Sequence, residues 1–233
     1  MRKEGFMKIP GLFAKAEMDR LRAATFDLLL HIGPDRKYAE GGRMQWHNGF
    51  PALLFWPRLV HDAFDDITVD DRLQRVVRDE LGEEVKQLNN QLYFRLPGDG
   101  DAFDWHQDMA FRKKVKPGIE NGYLQTMVCI DPMTKDNGCL WFVPDGQVAP
   151  GKPERTPPQV LPPGMGAEAV EAESGDLLAW TATVMHGSYS NNSNQSRMTY
   201  MNGFAQTDCC DAWPWYLAGG RLQPANPDLI PYT

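Results

Sequence analysis

The chain is poor in the features that direct a protein to a membrane, to nucleic acid or to an oxidising compartment. Only four of its 233 residues are cysteine (Cys129, Cys139, Cys209 and Cys210), with no Cys-x-x-Cys pair among them. They read as reduced thiols, Cys129 and Cys139 buried in strands, and not as a disulfide framework. No apolar stretch approaches the roughly eighteen residues of a membrane span. The opening Met1-Arg2-Lys3-Glu4-Gly5 leads into an amphipathic segment where a signal peptide would carry an apolar core and a cleavage site, so a cytoplasmic protein is expected. Positive charge is outnumbered, with 24 Lys and Arg against 31 Asp and Glu and a net charge of −7. That balance disfavours nucleic acid as the main partner, because phosphate backbones attract basic surfaces. No internal repeat is apparent.

What is present fits one core. A chain of this length that is 42% hydrophobic fills one sizeable domain, here taken as residues 1–233. Apolar spacing predicts a helix over Ala16–Leu30 and a second from about Val69 to Leu81, capped by Thr68 and closed by Gly82. From Glu84 to Leu96 the pattern alternates, with Asn89, Gln91, Tyr93 and Arg95 forming a polar face suited to a wet pocket. Short strands are expected at Phe103–Ala110, Tyr123–Ile130, Cys139–Val143, Ala167–Ala172, Leu177–Trp180, Val184–Ser188 and Arg197–Ala205. Eight or so short strands between turn signals indicate a mainly β sandwich or barrel of the jelly-roll kind. Helices between about 14 and 82 would buttress a β core between about 84 and 207, followed by an irregular C-terminal tail.

Within that frame one spacing carries chemistry. His106 and Asp108 in Trp105-His106-Gln107-Asp108 are two apart, so on an extended strand they share a face and grip one ion, while Gln107 points away. His186 lies eighty residues on. Two neutral imidazoles and one carboxylate leave three octahedral positions free, the arrangement of non-haem Fe(II) sites that activate O2, whereas a closed structural zinc site wants four ligands. If the polar stretch Asn191–Ser196 closes a hairpin, Arg197 comes to lie opposite His186. Its planar, permanently charged fork would then anchor a carboxylate-bearing ligand beside the metal. His31, His47 and His61 read as structural or exposed side chains.

These segments, with Asp136-Asn137-Gly138-Cys139-Leu140-Trp141-Phe142-Val143-Pro144, Gly175-Asp176-Leu177-Leu178 and His186-Gly187-Ser188, resemble the phytanoyl-CoA dioxygenase family of Fe(II)- and 2-oxoglutarate-dependent oxygenases. The likeness runs from about Gly5 to Gln206. It implies a double-stranded β-helix, or cupin-like jelly roll, with flanking helices. It implies that His106, Asp108 and His186 hold Fe(II), that Arg197 binds the distal carboxylate of the cosubstrate 2-oxoglutarate with support from Ser188, and that Gln91 and Thr126 add cosubstrate contacts. One departure is visible: Pro144-Asp145-Gly146-Gln147 stands where the family has Pro-Gly-Ser-His. The implied reaction consumes O2 and hydroxylates an unactivated C–H bond of a small-molecule substrate, releasing succinate and CO2. The Asp108 carboxylate speaks against halogenation, since iron halogenases of this class lack it.

Two other classes stay open at this point: a cupin-like Zn or Mn lyase, isomerase or hydrolase, and a non-catalytic sensor of 2-oxoglutarate or iron. Three further segments invite functional readings. Residues 38–59, irregular and aromatic, and residues 148–166, with six prolines, are candidates for the substrate mouth. The run Arg112-Lys113-Lys114-Val115-Lys116 is a solvated loop or a receiver of anionic substrate groups. The primary substrate and the oligomeric state are not legible.

Overall fold

The computed structural model describes residues 4–31, 43–47, 50–98, 102–111, 115–116, 118–147 and 164–230. The chain opens with a strand, β1 (Phe6–Ile9), and a helix, α1 (Lys15–His31), then forms the hairpin β2 (Arg43–His47) and β3 (Phe50–Phe55). Two helices follow, α2 (Asp62–Thr68) and α3 (Asp71–Leu81), and then the long strand β4 (Val85–Arg95) and the short β5 (Phe103–His106). The next strands are β6 (Tyr123–Cys129), β7 (Leu140–Gln147), β8 (Glu168–Val170), β9 (Leu177–Thr181) and β10 (Val184–Ser188). The last are β11 (Arg197–Gln206), β12 (Trp215–Ala218) and β13 (Arg221–Leu222).

The strands assemble into two antiparallel sheets. The larger runs β1-β9-β6-β11-β4-β12-β13, with the β2–β3 hairpin joined to β4 through β3; the smaller runs β5-β10-β7-β8. Neighbours in the smaller sheet are far apart in sequence, the strand order of a jelly roll in which the chain winds from one sheet to the other.

Strand alternation sorts the side chains of the larger sheet into two sets. Leu124 and Val128 of β6, Leu92 and Phe94 of β4, and Met198, Tyr200 and Phe204 of β11 join Met18 and Leu21 of α1 and Leu73 and Val77 of α3 in one apolar core. Met127 and Cys129 of β6 and Leu178 and Trp180 of β9 face the other way, packing with Phe142 and Val184 of the smaller sheet. The helices therefore cover one face of the larger sheet, and the space between the sheets lies against the other. On the back of the smaller sheet its own Trp105, Val143 and Met185 cluster with Met165.

Two motif glycines are explained by close approach. Gly175 has φ +93°, and a Cβ there would stand 2.1 Å from the Phe13 carbonyl oxygen; a Cβ on Gly138 (φ +83°) would stand 2.5 Å from the Tyr189 carbonyl oxygen. Beside Gly175, the Asp176 carboxylate accepts from the backbone N–H of Gly11 at 2.8 Å and of Glu173 at 3.0 Å, fastening the first loop onto β9.

Several expectations are corrected. The helix predicted over about 69–81 is α3, with a different start: Thr68 is not its cap but the end of a separate, unpredicted helix α2, and Asp70 caps α3 by accepting from the Arg72 N–H at 2.8 Å. An Asp followed by another Asp competes well for an N-cap, and Thr68 instead donates its hydroxyl back to the Phe64 carbonyl. The stretch read as an irregular loop over 38–59 contains β2 and β3, which extend the larger sheet; residues 38–42 and 48–49 lie outside the described ones. The C-terminal tail is not wholly irregular, since β12 and β13 complete that sheet beside β4. Strand β7 continues through Pro144-Asp145-Gly146-Gln147, where a family turn differs. Of the basic run, residues 112–114 lie outside the described ones, and Lys116 pairs with the Asp211 carboxylate. Residues 148–163 lie outside as well.

Candidate iron and 2-oxoglutarate site

His106 and His186 meet because their strands pair: β10 runs antiparallel to β5 with His186 directly across from His106. Their rings lie 4.2 Å apart between centroids. Each ring is fixed by the carbonyl two residues before it, His106 Nδ1 by Asp104 at 2.6 Å and His186 Nδ1 by Val184 at 3.0 Å. A carbonyl only accepts, so Nδ1 carries the proton in both rings and Nε2 presents its lone pair for a metal.

Asp108 reaches the same point by a different route from the one its spacing suggests. Strand β5 stops at His106, and Asp108 opens a 3-10 turn, Asp108–Phe111. Three bonds clamp that turn onto the β9–β10 connection. The Gln107 amide donates to the Thr183 carbonyl, Met109 N–H donates to the Ala182 carbonyl at 3.2 Å, and the Trp180 indole donates to Asp108 Oδ2 at 2.7 Å. The result leaves Asp108 Oδ1 4.0 Å from His106 Nε2. One ligand atom from each of His106, Asp108 and His186 falls within 4.8 Å of the others, and all three residues are buried. The triad predicted from sequence is therefore brought together, through a turn and not through a shared strand face.

The expected hairpin between His186 and Arg197 does not form. Strand β10 belongs to the smaller sheet and β11 to the larger, so residues 189–196 carry the chain across the sandwich. Asn191 stabilises that crossing by donating to the carbonyls of Arg95 and Gln195. Arg197 still reaches the intersheet space, because it lies on the β11 face opposite Met198, and its Nη1 is 3.5 Å from Met133 Sδ inside the intersheet cluster. It is 4% exposed. Ser188, two residues beyond His186 on the same strand face, receives a hydrogen bond from Arg95 Nη2 at 3.4 Å. Arg95 is buried and sits directly across from Arg197 on β4.

Gln91 projects from the same intersheet face of β4 and is half-buried, across from Met201. Thr126 does not. It shares the helix-facing side of β6 with Leu124 and Val128, and its hydroxyl donates to the Asn202 carbonyl at 2.9 Å. The period of two turns Thr126 away from the space that holds the triad.

Two residues that sequence reasoning did not assign join the site. Arg95 is one. Thr199 is the other: it lies two residues from Arg197 on the intersheet face, is buried, and its hydroxyl has no partner among the described residues. Spacing held the signal for both, since Arg95 closes the polar alternation of β4 and Thr199 repeats the face of Arg197. The buried thiols nearby are not rival ligands. Burial pushes Cys129 up to about 12 and Cys139 up to about 11, with the Arg197 charge pulling the other way. His61, in contrast, is a helix cap, its Nδ1 accepting from the Ala63 N–H at 3.1 Å.

The donors present fit the implied groups. Two imidazoles and one carboxylate match Fe(II) with open positions, and a buried guanidinium pair with an orphaned hydroxyl matches a carboxylate that must leave water to bind. A jelly roll carrying this set defines a non-haem Fe(II)- and 2-oxoglutarate-dependent dioxygenase. The chain belongs to the phytanoyl-CoA dioxygenase family, whose model matches residues 1–199. A relative from Stutzerimonas stutzeri, a probable alpha-ketoglutarate-dependent hypophosphite dioxygenase, is 28% identical over 228 residues, spanning 91% of this chain and 77% of that protein. Among solved structures, EctD from S. alaskensis with 2-oxoglutarate and 5-hydroxyectoine superposes with a TM-score of 0.73 at 19% identity, over 98% of this chain and 79% of that one. The epimerase SnoN in complex with Fe3+, alpha ketoglutarate and nogalamycin RO gives 0.71 at 17%, over 91% and 82%. At such identities these two speak to the fold. No helix among the described residues is long and apolar enough to cross a membrane.

Proposed function

We propose that this dioxygenase hydroxylates an unactivated C–H bond of a small polar molecule, consuming O2 and 2-oxoglutarate and yielding the alcohol, succinate and CO2. The observation that carries the reading is the meeting of His106, Asp108 and His186 on one side of an intersheet space that also buries Arg95 and Arg197. His106, Asp108 and His186 would hold Fe(II), which supplies the activation of O2 and the oxidative decarboxylation of the cosubstrate. Arg197 would receive the distal carboxylate through paired N–H donors. Thr199 supplies a hydroxyl on the same face, and Arg95, fixed by Ser188, adds a second positive charge. Holding the cosubstrate at both ends fixes its orientation before any reaction, which is worth far more than affinity alone.

A small polar substrate is supported by the lining. Asn89, Gln91 and Tyr93 project into the intersheet space from β4, and Asn89 donates to Gln125 at 3.3 Å. The name of the S. stutzeri relative, which refers to the very small oxyanion hypophosphite, points the same way. One apolar core joins α1 and α3 to the larger sheet, which supports a single catalytic domain, and four free, buried cysteines support a reducing, cytoplasmic setting.

The test is a metabolite screen read by succinate release. Succinate formed only with Fe(II), O2 and 2-oxoglutarate together, and stimulated by a substrate that gains one oxygen atom, is the expected result. Turnover with Zn or Mn in the absence of O2, or tight 2-oxoglutarate binding without turnover of any candidate, would overturn it in favour of lyase-type chemistry or of a sensor.

A further inference from the structure

Trp180 is fully buried, and its ring lies 5.1 Å from that of His186. Its indole N–H is spent on Asp108 Oδ2 at 2.7 Å. An indole offers one donor and no acceptor, so this side chain reads one carboxylate oxygen and leaves the other alone. From the juxtaposition of the Trp180 indole with Asp108 we infer that Trp180 is a positioning residue for the iron site, holding Asp108 as a one-oxygen ligand with Oδ1 turned to the two imidazoles. The inference rests on the iron-site reading above and deepens it.

The sequence and packing supply the reason. Asp108 sits on a 3-10 turn and not on a strand, so no ladder fixes its side chain. The other two bonds that clamp the turn come from Gln107 and from the Met109 backbone, and neither touches the carboxylate. Trp180 itself cannot move: β9 is flanked by β1 and β6, and the ring is wedged against Phe142 at 5.6 Å. A rigid donor on one oxygen has two effects. It keeps that oxygen from closing onto the metal as a second contact, which would occupy a position the cosubstrate or O2 needs. It also fixes the orientation of the remaining oxygen, the role that partners of metal ligands commonly play.

The experiment compares Trp180→Phe, which keeps an aromatic ring and removes the N–H, with wild type, using Co(II) as probe in the absence of O2. The expected result is roughly 10- to 100-fold weaker Co(II) binding, a changed Co(II) visible spectrum, and a metal-free melting temperature close to wild type. Unchanged Co(II) affinity and spectrum in a folded Trp180→Phe would overturn the inference. Should that variant fail to fold, the wild-type protein decides: of the seven indole N–H signals, one should be shifted or erased far more than the rest when Co(II) is added, and seven unaffected signals would overturn it. His106→Ala separates the two levels. If that change leaves Co(II) binding intact, the iron-site reading itself fails; if it abolishes binding while Trp180→Phe is silent, only the role of Trp180 does.

Discussion

The two faces of β4 and β11 both bury polar side chains, and they use them in opposite ways. On the helix face most of the polar groups satisfy one another, although Asn202 Nδ2 has no partner among the described residues. Asn90 donates to Tyr200 Oη at 2.5 Å and to Asn202 Oδ1 at 2.7 Å, Gln87 donates to Asn202 Oδ1 at 2.8 Å, and Thr68 and Tyr200 share a hydroxyl contact of 2.6 Å. Arg58, bound to Asp65 and Gln87, closes the network. On the intersheet face, formed by the alternate residues of the same strands, Arg95 and Arg197 stand side by side and the Thr199 hydroxyl has no partner among the described residues. Burial of polarity is thus no mark of function by itself. A network that bonds mostly within itself holds a scaffold together, whereas two like charges gathered beside a hydroxyl suit an anionic ligand.

That contrast is breakable. The largest effect is expected from Asp108→Ala, which should reduce 2-oxoglutarate-dependent succinate formation to background while circular dichroism stays native; full activity with bound iron would contradict the ligand set. Next comes Arg197→Ala. Loss of the charged partner of a buried carboxylate costs about 2 to 5 kcal/mol, so the 2-oxoglutarate KM should rise by at least roughly thirty-fold, with the melting temperature changed far less. On the other face Tyr200→Phe should do the reverse. It strips a shared hydroxyl from Asn90 and Thr68 and should cost about 1 to 3 kcal/mol of stability, seen in urea unfolding, with cosubstrate KM unchanged. If Tyr200→Phe raised the KM and Arg197→Ala only destabilised the fold, the division between the faces would be wrong.

The smallest effect per step is one the faces should share, because both are dry. Burial pushes the Cys129 thiol on the intersheet face up to about 12, and the Tyr200 hydroxyl on the helix face also up to about 12. The folded chain keeps protons that the unfolded chain releases near 9.0 and 10.0, the ordinary values for these groups. Their contribution is therefore whole below about pH 9 and is lost as pH rises toward 12, by at most about 1.4 kcal/mol per pH unit for each group. Unfolding free energy measured between pH 8 and pH 11 should fall along that window. A flat profile would mean that water reaches both faces, and a loss of half the slope that it reaches one.

Much of this was legible in the sequence, and what was not follows from identifiable causes. The triad was readable because ligand chemistry restricts residue types more tightly than folding does. Its geometry was not, because a two-residue spacing fits a strand and a 3-10 turn equally well, and the clamp from Trp180 and Gln107 is a long-range contact. Arg197 was readable as a cation close to the triad, but the crossing of residues 189–196 looked like a hairpin: local turn chemistry says that the chain bends and not which sheet it joins next. Thr126 lies on the helix-facing side of its strand and not on the intersheet side, a difference of one residue in a period of two. Leu88 shows why such errors arise. It groups with Tyr123 and Ala205 and not with Leu92, since an irregularity between Gly203 and Phe204 shifts the register there. The hairpin β2–β3 and the strands β12 and β13 are edge pieces whose pairing is set by β4, so their own sequences carry little of the signal.

The most direct test of the central claim is an anaerobic binding titration with Fe(II) and 2-oxoglutarate on wild type, His186→Ala and Arg197→Ala. The account predicts one Fe(II) per chain, one 2-oxoglutarate that binds tightly only once the metal is present, loss of both in His186→Ala, and metal binding with weakened cosubstrate in Arg197→Ala. Cosubstrate binding that needs neither the metal nor Arg197 would contradict it.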